Sequence, residues 1–173
     1  MKLYLLFIVL LPFIGVLING LLRNQLSKGL IGRIGSGVVM GSFILSILAF
    51  MEVRAGGGGV YKYFDFVNIG NLKIPFAFQI DQLSALFLLI VTGVGAVIHV
   101  YSTAYMHDET QDHFGRYFAY LNLFIFSMLM LVLADNLLVM YIGWEGVGIC
   151  SYLLIGYWFK NTEFNKAASK AFI

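Results

Sequence analysis

Five runs of 18 to 24 residues, almost free of charge, leave this chain few ways to fold. They are Leu3–Leu22, Ile34–Met51, Leu83–Met106, Tyr117–Ala134 and Leu137–Phe159, and they take up 103 of the 173 residues. A helix of roughly 20 apolar residues crosses about 30 Å of hydrocarbon. A transmembrane barrel would instead need strands of about ten residues with alternating polarity, a pattern these runs lack. The prediction is therefore an all-α, polytopic transmembrane helix bundle. Composition agrees, with 60% apolar and 12% charged residues, against about 25% charged in soluble domains. This excludes an ordinary soluble enzyme and a disordered tail. A net charge of +2 supplies no basic field for a nucleic-acid partner, so the expected partner is the lipid bilayer. Cys150 is the only cysteine. No intramolecular disulfide is possible, and in apolar surroundings its thiol is unreactive.

Lys2 before the first run imitates a signal peptide. Twenty apolar residues are long for such a segment, however, and Asn19-Gly20-Leu21-Leu22-Arg23 offers no small-residue cleavage site. The first run is read as a retained helix. Alternate loops then fall on opposite sides of the membrane. One side holds Arg23, Lys28, Arg33, Arg116, Lys160, Lys166 and Lys170, and the other holds Lys2, Arg54, Lys62 and Lys73. The positive-inside bias puts the N-terminus outside and the residues after the fifth span in the cytoplasm.

The second loop, Glu52–Gln82, opens on Gly56-Gly57-Gly58-Gly59 and continues with two strand-like runs, Val60–Ile69 and Leu72–Ile80. Gly70-Asn71 between them is a two-residue hairpin signal, so a β-hairpin is expected over 60–80. Pro75 confines the second strand to an edge or a bulge. A lone hairpin is marginal in water, and this one carries Tyr61, Tyr63, Phe64, Phe66, Phe76 and Phe78, so it is expected to lie on other protein. An aromatic interfacial belt is the alternative. The third loop holds His107, Asp108, Glu109, Asp112 and His113. Their spacing fits no zinc pattern, and the reading is a solvated loop without a metal site.

Glu145 is the one charge inside a span. At 1.5 Å per residue it lies roughly 12 Å from Leu137 and roughly 21 Å from Phe159. An ionised acid at that depth costs at least about 2.5–3.5 kcal/mol. Holding a glutamate protonated at pH 7 against a reference value near 4.3 costs roughly 3.7 kcal/mol. The costs are comparable, so without a cation neither form dominates, and such a group exchanges protons readily. The competing reading is a glutamate that only hydrogen-bonds a neighbouring helix. Gly143, Gly146 and Gly148 flank the acid and leave room for a partner helix or for water, and Tyr141 and Trp144 are placed to wall such a space. His99, seven residues before Met106, has a titration range suited to proton relay; a buried neutral histidine bonded to a carbonyl is the equal alternative. Asp135-Asn136 reads as a solvated helix cap and Gly37/Gly41 as a packing pair. Thr92, Asn122 and Ser127 read as interhelical hydrogen-bond partners.

The two-residue turn at Asp135-Asn136 makes spans four and five an antiparallel pair. After Phe159, Lys160-Asn161-Thr162-Glu163 and Ala167–Ile173 read as the start of a sixth helix. A chain seldom ends by beginning a helix, so a longer protein is expected.

The stretch Ala134-Asp135-Asn136-Leu137-Leu138-Val139-Met140-Tyr141-Ile142-Gly143-Trp144-Glu145-Gly146-Val147-Gly148-Ile149-Cys150-Ser151-Tyr152-Leu153-Leu154-Ile155-Gly156 closely resembles the fifth-helix region of the chain L family of proton-pumping NADH-quinone oxidoreductases, called subunit 5 in mitochondria. Asp81-Gln82-Leu83-Ser84, His99–Met106 and Arg116–Phe124 fit the same family. The resemblance implies the N-terminal part, over 1–173, of an antiporter-like subunit in the membrane arm of a respiratory complex. That complex couples NADH-to-quinone electron transfer to proton translocation. It implies that Glu145 belongs to a proton path and pairs with a lysine on a later helix. It also implies a periplasmic N-terminus, an inner-membrane location, and a hairpin that contacts a neighbouring membrane-arm subunit. No NAD, flavin, iron–sulfur or quinone-headgroup site is expected in this chain, since those belong to other parts of the complex. The alternative is a subunit of a multi-subunit cation/proton antiporter, which shares this ancestry and a similar glutamate.

Overall fold

A computed structural model describes residues 1–70 and 72–172 of the chain. Asn71, half of the expected turn signal, and Ile173 lie outside the described residues. Within them are helices α1 (Lys2–Leu21), α2 (Lys28–Arg54), α3 (Gln82–Tyr105), α4 (Gln111–Leu133), α5 (Leu137–Ile155) and α6 (Thr162–Phe172), and strands β1 (Gly59–Ile69) and β2 (Leu72–Ile80). Helices α1 to α5 are each long and apolar enough to cross a membrane. The chain is a multi-pass membrane protein with a predominantly helical fold and a small antiparallel sheet, as its sequence predicts.

Three helix ends differ by four residues or more from the charge-free runs. Helix α2 starts at Lys28 rather than Ile34, and α4 at Gln111 rather than Tyr117. A charge-free window measures hydrocarbon, whereas a helix continues through its charged interfacial turns. Helix α5 stops at Ile155, with Gly156 as its cap, four residues short of the predicted end. Tyr157 and Trp158 then turn back to bond the third loop.

Helix α2 packs between α1 and α3, and α4 packs against α1 and α5. One core joins Leu5, Ile8, Val39, Ala49, Leu88, Ile125, Leu129, Leu133 and Val139. A second, smaller one near the first loop joins Ile31, Met106, Phe114, Phe118 and Tyr157. The outer faces keep large apolar side chains exposed, among them Phe7, Ile44, Phe87, Val97 and Tyr152, as a lipid-facing bundle requires. The expected sixth helix forms as α6 and lies against α5, with Ala168 buried and the Phe172 ring 5.9 Å from that of Tyr152.

The hairpin pairs β1 with β2 from Gly59↔Ile80 to Ile69↔Leu72, within one residue of prediction. Gly70 takes φ +56° at the turn, the left-handed region that glycine enters freely. The register shifts twice, beside Phe64 and beside Asp65, the residues paired with Phe76 and Pro75, so the proline sits where the ladder is already irregular. The hairpin lies on its own chain at one side. The Tyr63 hydroxyl donates to Lys2 O (2.8 Å), Asp135 N donates to Ala77 O (3.3 Å), and Asn136 Nδ2 donates to Pro75 O (2.9 Å). Phe64, Phe66 and Ile69 remain exposed.

These contacts sort the ends of the bundle. Met1, the hairpin and the α4–α5 turn meet at one end, where the Met1 ammonium lies 3.4 Å from Glu52. The first loop, the third loop and the α5–α6 turn meet at the other. There Lys28 Nζ donates to His107 O (3.0 Å), Gln111 Nε2 donates to Leu26 O (2.7 Å), and Arg23 pairs with Asp112 at 2.8 Å.

Candidate functional site

Helix α5 begins where Asn136 caps it, its side-chain oxygen accepting from Val139 N at 3.1 Å. The expected cap is present. It is not merely solvated, because the same side chain also ties the turn to β2. From this fixed start α5 runs antiparallel to α4 with glycines at the contact. A Cβ on Gly143 would meet Leu131 N at 2.6 Å, and one on Gly146 would meet Ser127 Oγ at 2.5 Å. The room these glycines provide is thus filled by α4. Gly148 is different: a Cβ there would meet only a Phe172 ring atom, at 4.0 Å.

Glu145 is the ninth of the 19 residues of α5, roughly 12 Å from Leu137 and about 15 Å from Ile155. It is half-buried, and among the described residues it has no ion-pair partner. The Tyr141 hydroxyl one turn earlier lies beside its carboxyl group. Tyr141 and Trp144 are themselves exposed, so they flank the acid on an open face and do not wall a cavity. The arrangement is a carboxyl group at mid-membrane depth, held on a helix anchored through its opposite face. It can exchange a proton or receive a cation brought to that face.

His99 lies elsewhere, in the middle of α1 to α4, and is fully buried. Its Nδ1 is 2.7 Å from Gly95 O on its own helix, while Nε2 has no partner. The Phe118 ring packs edge-on at 6.2 Å, and the Asn122 amide lies beside the imidazole. The structure therefore does not bring His99 and Glu145 together. Of the three expected interhelical partners, Ser127 does meet the neighbouring helix α5, and the other two bond carbonyls of their own helices. Thr92 donates to Leu88 O and Asn122 to Phe118 O, both on their own helices, and Ser127 packs on Gly146 with Cys150 next to it. Ser42 does bridge helices, donating to Ile8 O at 2.9 Å. Of the pair Gly37/Gly41, only Gly41 meets a neighbour, Leu11, and Gly37 faces open space. Nothing in the sequence pattern points to Asn19 beyond its being an amide inside an apolar run, yet it is fully buried.

The third loop is less solvated than expected. Glu109 accepts from the Trp158 indole at 2.9 Å and faces His113 Nδ1 at 3.2 Å, and the Tyr157 hydroxyl donates to His113 O at 2.6 Å. The indole hydrogen bond is the main reason the Glu109 carboxyl is held below its ordinary range. At the opposite end of the bundle, the Ser84 backbone N–H does the same for Asp81, in a capping box. The Tyr63 phenol is pushed up to about 12 by burial and by Tyr61 beside it. Arg116 lies 5.3 Å from both the Tyr157 and Phe159 rings.

Comparison with known proteins draws this geometry into one family. Residues 66–118 match the model described as NADH-Ubiquinone oxidoreductase (complex I), chain 5 N-terminus, and residues 134–173 match NADH:quinone oxidoreductase/Mrp antiporter, TM. The second match contains Glu145. Subunit L of NADH-quinone oxidoreductase from Rickettsia typhi is 40% identical over 167 residues, 96% of this chain and 25% of that protein. The Escherichia coli K12 protein of the same name is 41% identical over 95% of this chain and 27% of its own length. For Rhodobacter capsulatus the values are 42%, 96% and 24%. The chain thus spans about a quarter of the length of these relatives. Among solved structures, a chain of the membrane-bound sulfane sulfur reductase, an archaeal respiratory membrane complex, superposes with a TM-score of 0.76 at 18% identity, covering 99% of this chain and 33% of that one. At that identity the likeness concerns the fold.

Proposed function

The chain belongs to the NADH-quinone oxidoreductase subunit L family, and on that premise we propose that it contributes five membrane crossings to an antiporter-like, membrane-arm subunit. The whole complex would pass electrons from NADH to quinone and translocate protons, with this chain supplying part of the proton path. The observation that carries the reading is Glu145: a carboxyl group at mid-span, half-buried on a helix whose opposite face is anchored through Gly143. A lone ionised acid at that depth is costly. A lysine reaching the open face of α5 from a further helix would lower that cost, and its approach or withdrawal would drive proton uptake and release at the carboxyl group. His99, on a separate set of helices, is a second candidate relay.

The electron-transfer chemistry is assigned to other chains. An iron–sulfur cluster needs several thiolates, and this sequence has one cysteine. NAD, flavin and quinone-headgroup binding are likewise placed outside this chain. Its partners would be neighbouring membrane-arm subunits, and the exposed Phe64, Phe66 and Ile69 of the hairpin offer one contact surface. The excess of Lys and Arg at the first-loop end supports a periplasmic N-terminus and a cytoplasmic α5–α6 turn, in an inner (cytoplasmic) membrane.

The test is Glu145→Gln in the complete subunit within its complex. Proton uptake into inverted vesicles and the NADH–quinone reductase rate are measured together. The expected result is normal assembly with a large loss of protons moved per NADH oxidised. An unchanged ratio would sink the proposal. The cation/proton antiporter reading has one observation in its favour, because the family matched over 134–173 includes Mrp antiporters. It requires sodium-driven proton exchange in vesicles without NADH.

A further inference from the structure

We propose that Asn19, His99 and Asn122 form a water-binding site in the core of α1 to α4, independent of Glu145 and of the function assigned to it. The three side chains come from α1, α3 and α4, and all are 0% exposed. Each has given a hydrogen to a backbone carbonyl. Asn19 Nδ2 donates to Ile31 O (3.4 Å), Asn122 Nδ2 donates to Phe118 O (2.9 Å), and His99 Nδ1 lies 2.7 Å from Gly95 O. These carbonyls fix how the groups are turned. Flipping either amide would set its oxygen against a carbonyl oxygen, and the imidazole proton is held on Nδ1.

Three acceptors are left over, Asn19 Oδ1, Asn122 Oδ1 and His99 Nε2, each buried and without a partner. A buried acceptor without a donor is costly, so three in one core call for one. The three groups are contiguous through Asn122. A Cβ on Gly35 would lie 3.1 Å from Asn19 Nδ2 and 3.2 Å from Asn122 Nδ2, while one on Gly15 would lie 3.0 Å from Asn122 Oδ1. His99 adjoins the same amide, but its Nε2 and the Asn122 oxygen make no hydrogen bond of acceptable geometry to one another. Two glycines on α1 and α2 therefore clear the space these polar groups occupy.

The chemistry selects the ligand. The site offers acceptors and no acid, since the buried polar side chains of the described residues are amides, hydroxyls and one imidazole. A cation there would lack a counter-charge. Water is neutral and donates two hydrogens, and it can accept the second N–H that each amide keeps. That meets the two to four bonds a buried water makes.

A high-resolution density map of the complete membrane complex should show a peak within hydrogen-bond distance of at least two of the three acceptors. A map with these side chains ordered and no such peak, or with His99 Nε2 bonded directly to the Asn122 amide, would overturn the site. Asn122→Leu gives a second reading. If the site binds water, the apolar isostere expels it, and the thermal midpoint of the purified complex should fall by several degrees. A rise would mean the acceptor had been dry and would likewise overturn the site. If the variant does not assemble, the parent map alone decides.

Discussion

Gly143 of α5 lies so close to Leu131 of α4 that a Cβ would sit 2.6 Å from the Leu131 amide nitrogen. This contact decides where Glu145 points. Two residues further along a helix is a rotation of about 200°, so fixing Gly143 against α4 turns Glu145 to the opposite side. The acid is presented outward by the packing of a glycine.

Gly143→Ala should therefore be costly. The obstacle is backbone, which cannot swing aside, and overpacking of this kind costs roughly 1–3 kcal/mol. The thermal midpoint of the detergent-purified protein should fall, whereas Gly37→Ala, with nothing within 4 Å, should leave it nearly unchanged. Equal midpoints for the two variants would show that α4 and α5 do not meet through Gly143.

How much of this is legible in the sequence depends on the kind of signal. The hairpin strands are bounded by glycines and strong β-formers, so their ends were predicted within one residue. The depth of Glu145 follows from counting along the helix. Its direction does not, because that depends on which α5 residues meet α4. Glycine spacing has the same limit. It marks Gly37 and Gly41 as a possible face, but the close contacts use other glycines, among them Gly15, Gly35, Gly95, Gly115, Gly143 and Gly146, and the choice is made by the partner helix. The charges of Lys28 and Arg33 read as loop residues, yet both lie within α2, because a helix can carry charge where it leaves the hydrocarbon.

The third-loop clasp should loosen in acid. The Glu109 carboxyl lies below its ordinary value of 4.5, chiefly because the Trp158 indole donates to it. A lowered folded value means the contact stabilises above that ordinary value and is lost as pH falls through the folded one. In a Trp144→Phe background, Trp158 emission should change as pH drops below 4.5. Glu109→Gln should remove that change. Glu109 is only partly buried, so the effect on stability is small and weakens with salt. Emission that is flat with pH in both proteins would discount the clasp.

The two ends of the bundle should label from opposite sides of the membrane. With Cys150→Ser as background, Gln25→Cys in the first loop and Asn68→Cys in the hairpin both place a thiol at an exposed position. In right-side-out vesicles an impermeant maleimide should modify the second and spare the first, and inverted vesicles should reverse the pattern. Labelling of both from one side would contradict the five crossings. Full reversal would keep the crossings but invert the orientation proposed from the positive residues.

Asn136 joins two elements with one side chain, so its two bonds can be separated. Its oxygen caps α5 through Val139 N, and its nitrogen donates to Pro75 O of the hairpin. Asn136→Ala removes both and should cost about 1–2 kcal/mol, most of it from the cap. Asn136→Asp keeps the capping oxygen, adds a favourable charge at the helix N-terminus and loses only the donor to Pro75, so it should cost less than alanine. Hydrogen exchange at Val139 separates the effects. Protection should drop in the alanine variant and persist in the aspartate variant, while the hairpin loosens in both. Equal loss of protection at Val139 in the two variants would show that the hairpin, and not the cap, holds the start of α5.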